Sequence, residues 1–259
     1  MVRPIHFIKL LLIFLLASHP VQADEPLIPI DFSGHYDFAF SGVPLGKLDL
    51  RFTQSATKYT ATADVKTVGL ARVFVQHESH TISKGWGSDF HYPQVDYESR
   101  YSTRGKPKSA KISKKDGVIF ADVVNPPDNR AIRPAVPLEQ KSAAFDPLAV
   151  GLAIRSEFAR AQKDGRTDFT LDYYDGRRLT RVYFTVGKER VIRIKGQKYP
   201  VFTLTARREL LAGHTDKERA RIDPHEPSAT LYFSRDAKFM PIYLEVPVLF
   251  GIASATLRM

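Results

Sequence analysis

Apolar and polar residues alternate along most of the chain. Leu48, Leu50 and Phe52 interleave with Asp49, Arg51 and Thr53, and Tyr59, Ala61, Ala63 and Val65 interleave with Thr60, Thr62, Asp64 and Lys66. A two-residue period gives a strand one apolar and one wet face, which fits antiparallel sheet. Residues 33–124 therefore read as successive strands, and Asp116-Gly117 ahead of Val118-Ile119-Phe120 predicts a hairpin turn. A second run of strands is predicted over 169–174, 179–186, 191–195, 199–209, 229–234, 242–246 and 252–257, with Asp175-Gly176 turning between the first two.

The middle of the chain breaks this rhythm. Asn125-Pro126-Pro127, Pro134 and Pro137 cannot sustain a central ladder, so 125–142 is expected to be a loop. Asp146-Pro147 then resembles a helix start, with Asp as N-cap and Pro in the first turn. Val150, Ala153, Ile154, Phe158 and Ala161 recur at helical spacing until Asp164-Gly165, which predicts a helix over about 146–163. One helix cannot cover both faces of so many strands. The expected fold class is mainly β: a single strongly curved antiparallel sheet, an open or nearly closed barrel, with one α-helix packed against or into its concave side. No repeat or flexible linker marks a second domain, so residues 24–259 are expected to form one β-rich unit.

Composition adds location. The 259 residues include no Cys, which excludes disulfides, thiolate zinc sites, iron–sulfur clusters, a cysteine nucleophile and a lipid-modified N-terminal cysteine. Residues 1–23 read as a secretory signal peptide: Arg3 and Lys9, then the apolar run 10–17, then Val21-Gln22-Ala23 ahead of Asp24-Glu25. The apolar run is too short for an uncleaved span, which takes about 20 residues. Cleavage near Ala23 removes Arg3 and Lys9 and lowers the formal charge from +10 to +8. No later stretch is long and apolar enough to span a bilayer as a helix, so the mature chain is expected to be soluble and exported, in the periplasm of a cell with an outer membrane.

The charge is local. Residues 177–221 hold 13 basic and 4 acidic side chains, which leaves −1 for the rest of the mature chain. Arg177, Arg178, Arg181, Arg207 and Arg208 are candidate contacts for an anionic partner, and a second basic cluster (Arg104, Lys106, Lys108, Lys111, Lys114, Lys115) falls on a hairpin. An exported chain rarely meets nucleic acid. The expected partners are an envelope lipid, another anionic amphiphile or an envelope protein. Outward strand positions kept basic for solubility would look the same.

Catalytic patterns are sparse. There is no glycine-rich phosphate loop, no Gly-x-Ser-x-Gly elbow and no His-Glu-x-x-His helix, so neither cofactor, metal nor catalytic residue is expected. His77 and His80 lie three apart on a strand and so face opposite sides. His91 could join one of them only across strands. His214 and His225 fall in a polar stretch that reads as a solvated loop, Asp172 and Asp175 as a carboxylate pair or as turn chemistry, and Asp146 as a cap rather than an acid. The expectation is a non-enzyme. Val182, Phe184, Val186, Phe202, Leu204 and Phe233 point to the concave face, where they form core if the helix fills the space and line an apolar cavity if it does not.

Several segments together resemble the exported bacterial family catalogued as domain of unknown function 3108. They are the strand-and-turn run from Tyr36 through Gly42 to Gly46, the run 59–63, Val68-Gly69-Leu70, Asp146-Pro147-Leu148, Tyr174-Asp175-Gly176-Arg177-Arg178, and the run from Pro241 to Glu245. The resemblance spans roughly residues 30–259. It implies an envelope protein of antiparallel sheet, like the curved half-barrels of periplasmic lipoprotein carriers, and brings no catalytic residues. The functional expectation is a non-enzymatic envelope protein that binds a hydrophobic or amphiphilic component in its concave face. The alternatives are an interaction or scaffold module working through the basic face 177–221, and a cell-wall hydrolase.

Overall fold

The computed structural model describes residues 29–69, 71–74, 76–235, 239–248 and 250–258. The expected leader, residues 1–23, lies outside them. Fourteen strands form one antiparallel sheet: β1 (Ile30–Phe40), β2 (Val43–Gln54), β3 (Lys58–Thr67), β4 (His77–Ser88), β5 (His91–Thr103), β6 (Lys106–Lys115), β7 (Val118–Asn125), β8 (Asp168–Tyr174), β9 (Leu179–Val186), β10 (Arg190–Ile194), β11 (Gln197–Ala212), β12 (Ala229–Ser234), β13 (Pro241–Val248) and β14 (Gly251–Leu257). The order is β7-β6-β5-β4-β3-β2-β1-β14-β13-β12-β11-β9-β8, with β10 paired to β11. Strands joined by two-residue turns pair directly. At Asp116-Gly117 and Ser41-Gly42 both residues have positive φ, the twist that lets so short a turn join two right-twisted strands.

Between β7 and β8 come α2 (Leu138–Ala143) and α3 (Ala149–Asp164); two short helices, α1 (Ala71–Phe74) and α4 (Asp216–Arg219), sit in connections. The three short helices were not expected. Sequence placed 125–142 wholly in a loop and 214–225 in a solvated one, yet α4 carries a complete Thr215/Glu218 capping box. The strand expectations hold to within a few residues.

Residues 149–156 of α3 are all buried, as are Phe158 and Ala161. Eight consecutive buried positions leave a helix no solvent face in that stretch, so α3 runs through the interior of the curved sheet. Its Phe158, fully buried, meets Phe233, Phe239 and Phe202 at centroid distances of 5.1, 5.6 and 5.8 Å. The inward residues of the long sheet, from Tyr36 and Leu48 through Ile112 to Phe184 and Leu244, join α3 in one core. Gly165, at φ 66°, ends the helix.

The sheet does not close by strand pairing, because β7 and β8 are its two ends. The segment between them stitches the seam instead. Phe145 bridges Tyr173 in parallel, with Phe145 N–H donating to Asp172 O (2.9 Å) and Tyr174 N–H to Phe145 O (2.7 Å). Asp122 on β7 accepts both the Tyr174 hydroxyl and the Lys141 ammonium at 2.7 Å. Ile119 N–H donates to Ser142 Oγ (3.0 Å), and inward-facing Lys114 donates to the carbonyls of Ser142 and Ala144.

Candidate binding surfaces

The six apolar positions expected on the concave face do point inward, into or against the core that contains α3. Val182, Phe184, Leu204 and Phe233 are at most 2% exposed, and Val186 and Phe202 pack against the same core. Phe184 stacks on Phe169 at 4.9 Å, while Phe233 and Phe202 surround Phe158 of α3. Of the two alternatives left open for these positions, their burial beside α3 fits core.

The five arginines fare similarly. Arg177 pairs with Asp128, and Arg178 bonds Glu218 (2.6 Å) and Asp175 (3.1 Å), both guanidinium groups largely buried. Arg133 joins Glu218 from the other side at 2.9 Å. Arg181 holds Asp172 through two bonds of 2.8 and 2.9 Å, and Arg207 bonds Pro224 O and lies 4.5 Å from the Tyr183 ring centre. Counting charges along 177–221 leaves out Asp172 and Asp175, just ahead of that window, and Asp128, which lies 49 residues from Arg177. Three of the five, Arg177, Arg178 and Arg181, are held by carboxylates. Arg208 differs: its strand position puts it on the inner face beside Val182, partly buried, and burial pulls its pKa down. Among the described residues it has neither hydrogen-bond nor ion-pair partner.

Asp146 is a buried carboxylate at the start of α3, and burial pushes its pKa up. Its Oδ1 accepts from Leu148 N–H (2.8 Å) and Ala149 N–H (2.9 Å), and its Oδ2 from Ser83 Oγ (2.8 Å) and Tyr59 OH (3.5 Å). It therefore caps the turn that leads into α3, whose first regular residue is Ala149, and ties that turn to β3 and β4. Both oxygens are occupied, which suits a structural latch and leaves no lone pair aimed at a substrate. Asp175 is turn chemistry, accepting from Arg177 and Arg178 N–H at 2.9 and 2.8 Å.

The histidines separate as the two-residue period requires. His77 is buried and its ring bonds Thr103, whereas His80 faces out. His214 was expected in a solvated loop but is 5% exposed, with Nε2 bonded to Leu179 O at 3.0 Å. Gly213, at φ 71°, folds the end of β11 back over the β8–β9 turn, where a Cβ would collide with Arg177 O. Burial pushes the His214 pKa down to about 4. His225 is exposed, as expected.

One recess of the surface was not foreseen. A groove of about 990 Å³ crosses the outer faces of β2–β6. One rung of it runs Asp49, Asp64, His80, Arg100 across four neighbouring strands, with His35 of β1 beside Asp49. Asp49 accepts from His35 Nδ1 at 2.5 Å and Asp64 from His80 Nδ1 at 2.6 Å. Glu98 bonds Arg100 (2.5 Å) and faces Lys111 (3.4 Å); burial raises its pKa, but these two cations outweigh it and hold the carboxyl low. The lining thus alternates in sign. No group of three or more His, Asp or Glu among the described residues has the geometry to hold a metal ion. The groove was legible only as outward strand positions; strand register brings its charges together.

Comparison with known proteins supplies a family and a fold. The family described as "Protein of unknown function (DUF3108)" matches residues 32–258. The fold is similar to a crystal structure described as a "Beta-barrel-like Protein of Domain of Unknown Function DUF1849" from Brucella abortus. That likeness has a TM-score of 0.55 at 12% identity and covers 91% of this chain and 98% of that one. No curated protein matches.

Proposed function

The chain belongs to the DUF3108 family of unknown function, and on that footing we propose that it is a non-catalytic protein of the cell envelope that makes its contacts from the outside of a helix-filled barrel. The observation that carries this reading is the burial of α3: eight consecutive helix residues and Phe158 occupy the interior where an acyl chain would lie. The occupied oxygens of Asp146 and the surface-paired carboxylates of the groove favour binding over general acid–base chemistry, which needs a free, positioned proton donor. The leader-like residues 1–23 support export, with the mature chain starting at Asp24 in the periplasm. No helix among the described residues is long and apolar enough to cross a membrane.

The test is native mass spectrometry of the protein purified without detergent from the periplasmic fraction, with lipid extraction alongside. The expected mass starts at Asp24 and carries no adduct. A phospholipid retained through a high-salt wash, which releases head groups held only at the surface, would overturn the outside-contact reading, and a chain retaining residues 1–23 in the membrane fraction would overturn the location.

A further inference from the structure

One stretch of the barrel's rim differs in chemistry from the rest. At one end, four neighbouring connections are zipped together by backbone bonds: Ser41 N–H to Ile252 O (2.8 Å), Val68 N–H to Leu45 O (3.0 Å) and Arg104 N–H to Gln76 O (2.8 Å). The β13–β14, β1–β2, β3–β4 and β5–β6 connections thus form one continuous stretch of rim. Their tips expose apolar side chains: Phe250 is 81% exposed, Val73 78%, Val43 60% and Ile252 48%. Segments 41–45, 68–76, 103–108 and 248–252 contain no Asp or Glu, but contain Arg72, Arg104, Lys106 and Lys108. The neighbouring connections at the same end, β8–β9 and β11–β12, carry Asp175, Asp216, Glu218, Asp223 and Glu226, and those at the opposite end carry Asp89, Asp116, Asp164 and Glu189, so the acid-free stretch is confined to the four zipped connections.

Exposed Phe and Val on the turns of a stable sheet gain nothing for the fold. Together with cations and no acids, they match a surface that is apolar below and anionic above, which is the head-group layer of an acidic bilayer. We propose that this rim docks the protein on an anionic phospholipid membrane. Phe250, Val73 and Val43 enter the acyl boundary, and Arg72, Arg104, Lys106 and Lys108 lie at the phosphates. The proposal rests on the outside-contact reading and names its partner. The barrel interior takes no part.

The experiment is vesicle flotation with the chain from Asp24, since all described structure lies within residues 29–258. Vesicles of phosphatidylglycerol with phosphatidylethanolamine are compared with pure phosphatidylcholine. Binding is expected to the first alone and to weaken with salt, because the cations act through a screened field. Each basic residue replaced by Ser should weaken it roughly five-fold, following about 1 kcal/mol per cation near an acidic surface. The triple variant Val43→Ser, Val73→Ser, Phe250→Ser should lose vesicle binding with an unchanged melting temperature. A Phe250→Trp chain should shift its emission to the blue on binding; Trp86, at the opposite end, supplies a constant background. Substituting the exposed β7 residues Val118 and Phe120 with Ser should change nothing. Absence of wild-type binding at low salt, or equal binding by the triple variant, overturns the rim proposal. A clean apo mass beside failed flotation would sink the rim alone; lipid that stays with the purified protein through a high-salt wash would sink the reading beneath it.

Discussion

Truncating Phe158 tests whether α3 is core or merely occupies a ligand's place. The side chain is fully buried among Phe202, Phe233 and Phe239. A buried Phe hides about 150 Å² or more, which at about 25 cal/mol per Å² is worth about 4 kcal/mol. Three ring contacts and the cavity left behind put Phe158→Ala near the upper end of the usual range of about 3–5 kcal/mol. For a domain of this size that lowers the melting temperature by roughly 10–15 °C. Urea denaturation followed by far-ultraviolet circular dichroism gives the free energy, and calorimetry the melting temperature. A cavity walled by phenylalanines stays dry and takes small aromatics. Added benzene should therefore recover part of the loss. A cost below about 1 kcal/mol, with no response to benzene, would refute the packing argument, because it would mean that Phe158 sits against space and not against three rings.

Three further outcomes follow from the charged groups. His214 has a folded pKa of about 4, below its unfolded value of 6.5, so the unfolded chain binds its proton first. Stability should fall as pH drops from about 6.5 towards 4, by up to about 3 kcal/mol, and urea melts at pH 7 and 4.5 should show a smaller difference in His214→Asn. Glu218→Gln leaves Arg133 and Arg178 facing a neutral group in a largely buried site, and should cost about 3 kcal/mol in the same melts. Arg208→Met replaces a partly buried, unpartnered cation with an apolar chain of similar length, and should raise stability by about 1 kcal/mol. A drop of that size would instead assign Arg208 a partner in solution.

The alternation of Leu48, Leu50 and Phe52 with Asp49, Arg51 and Thr53 determined the strands, because a residue's side of a pleated sheet depends only on its parity. Gly in two-residue turns and Asp146 before Pro147 likewise act locally, so hairpins and the start of α3 were readable from the chain. The Thr215/Glu218 capping box of α4 is equally local, but it opens a four-residue helix in a charged stretch with no apolar helical period. What sequence could not decide was which side chains meet across long separations. Whether Phe184 and Phe233 line a cavity depends on where α3 lies, and that depends on the whole curvature of the sheet. Whether Arg177 and Arg178 form a free basic face depends on Asp128 and Glu218, which lie some 40 or more residues away. The acid-free rim is also a tertiary fact: its four segments are scattered from residue 41 to residue 252, and antiparallel pairing alone sets their turns side by side. Parity is a property of one strand, while cavities, ion pairs and surfaces belong to the arrangement of all of them.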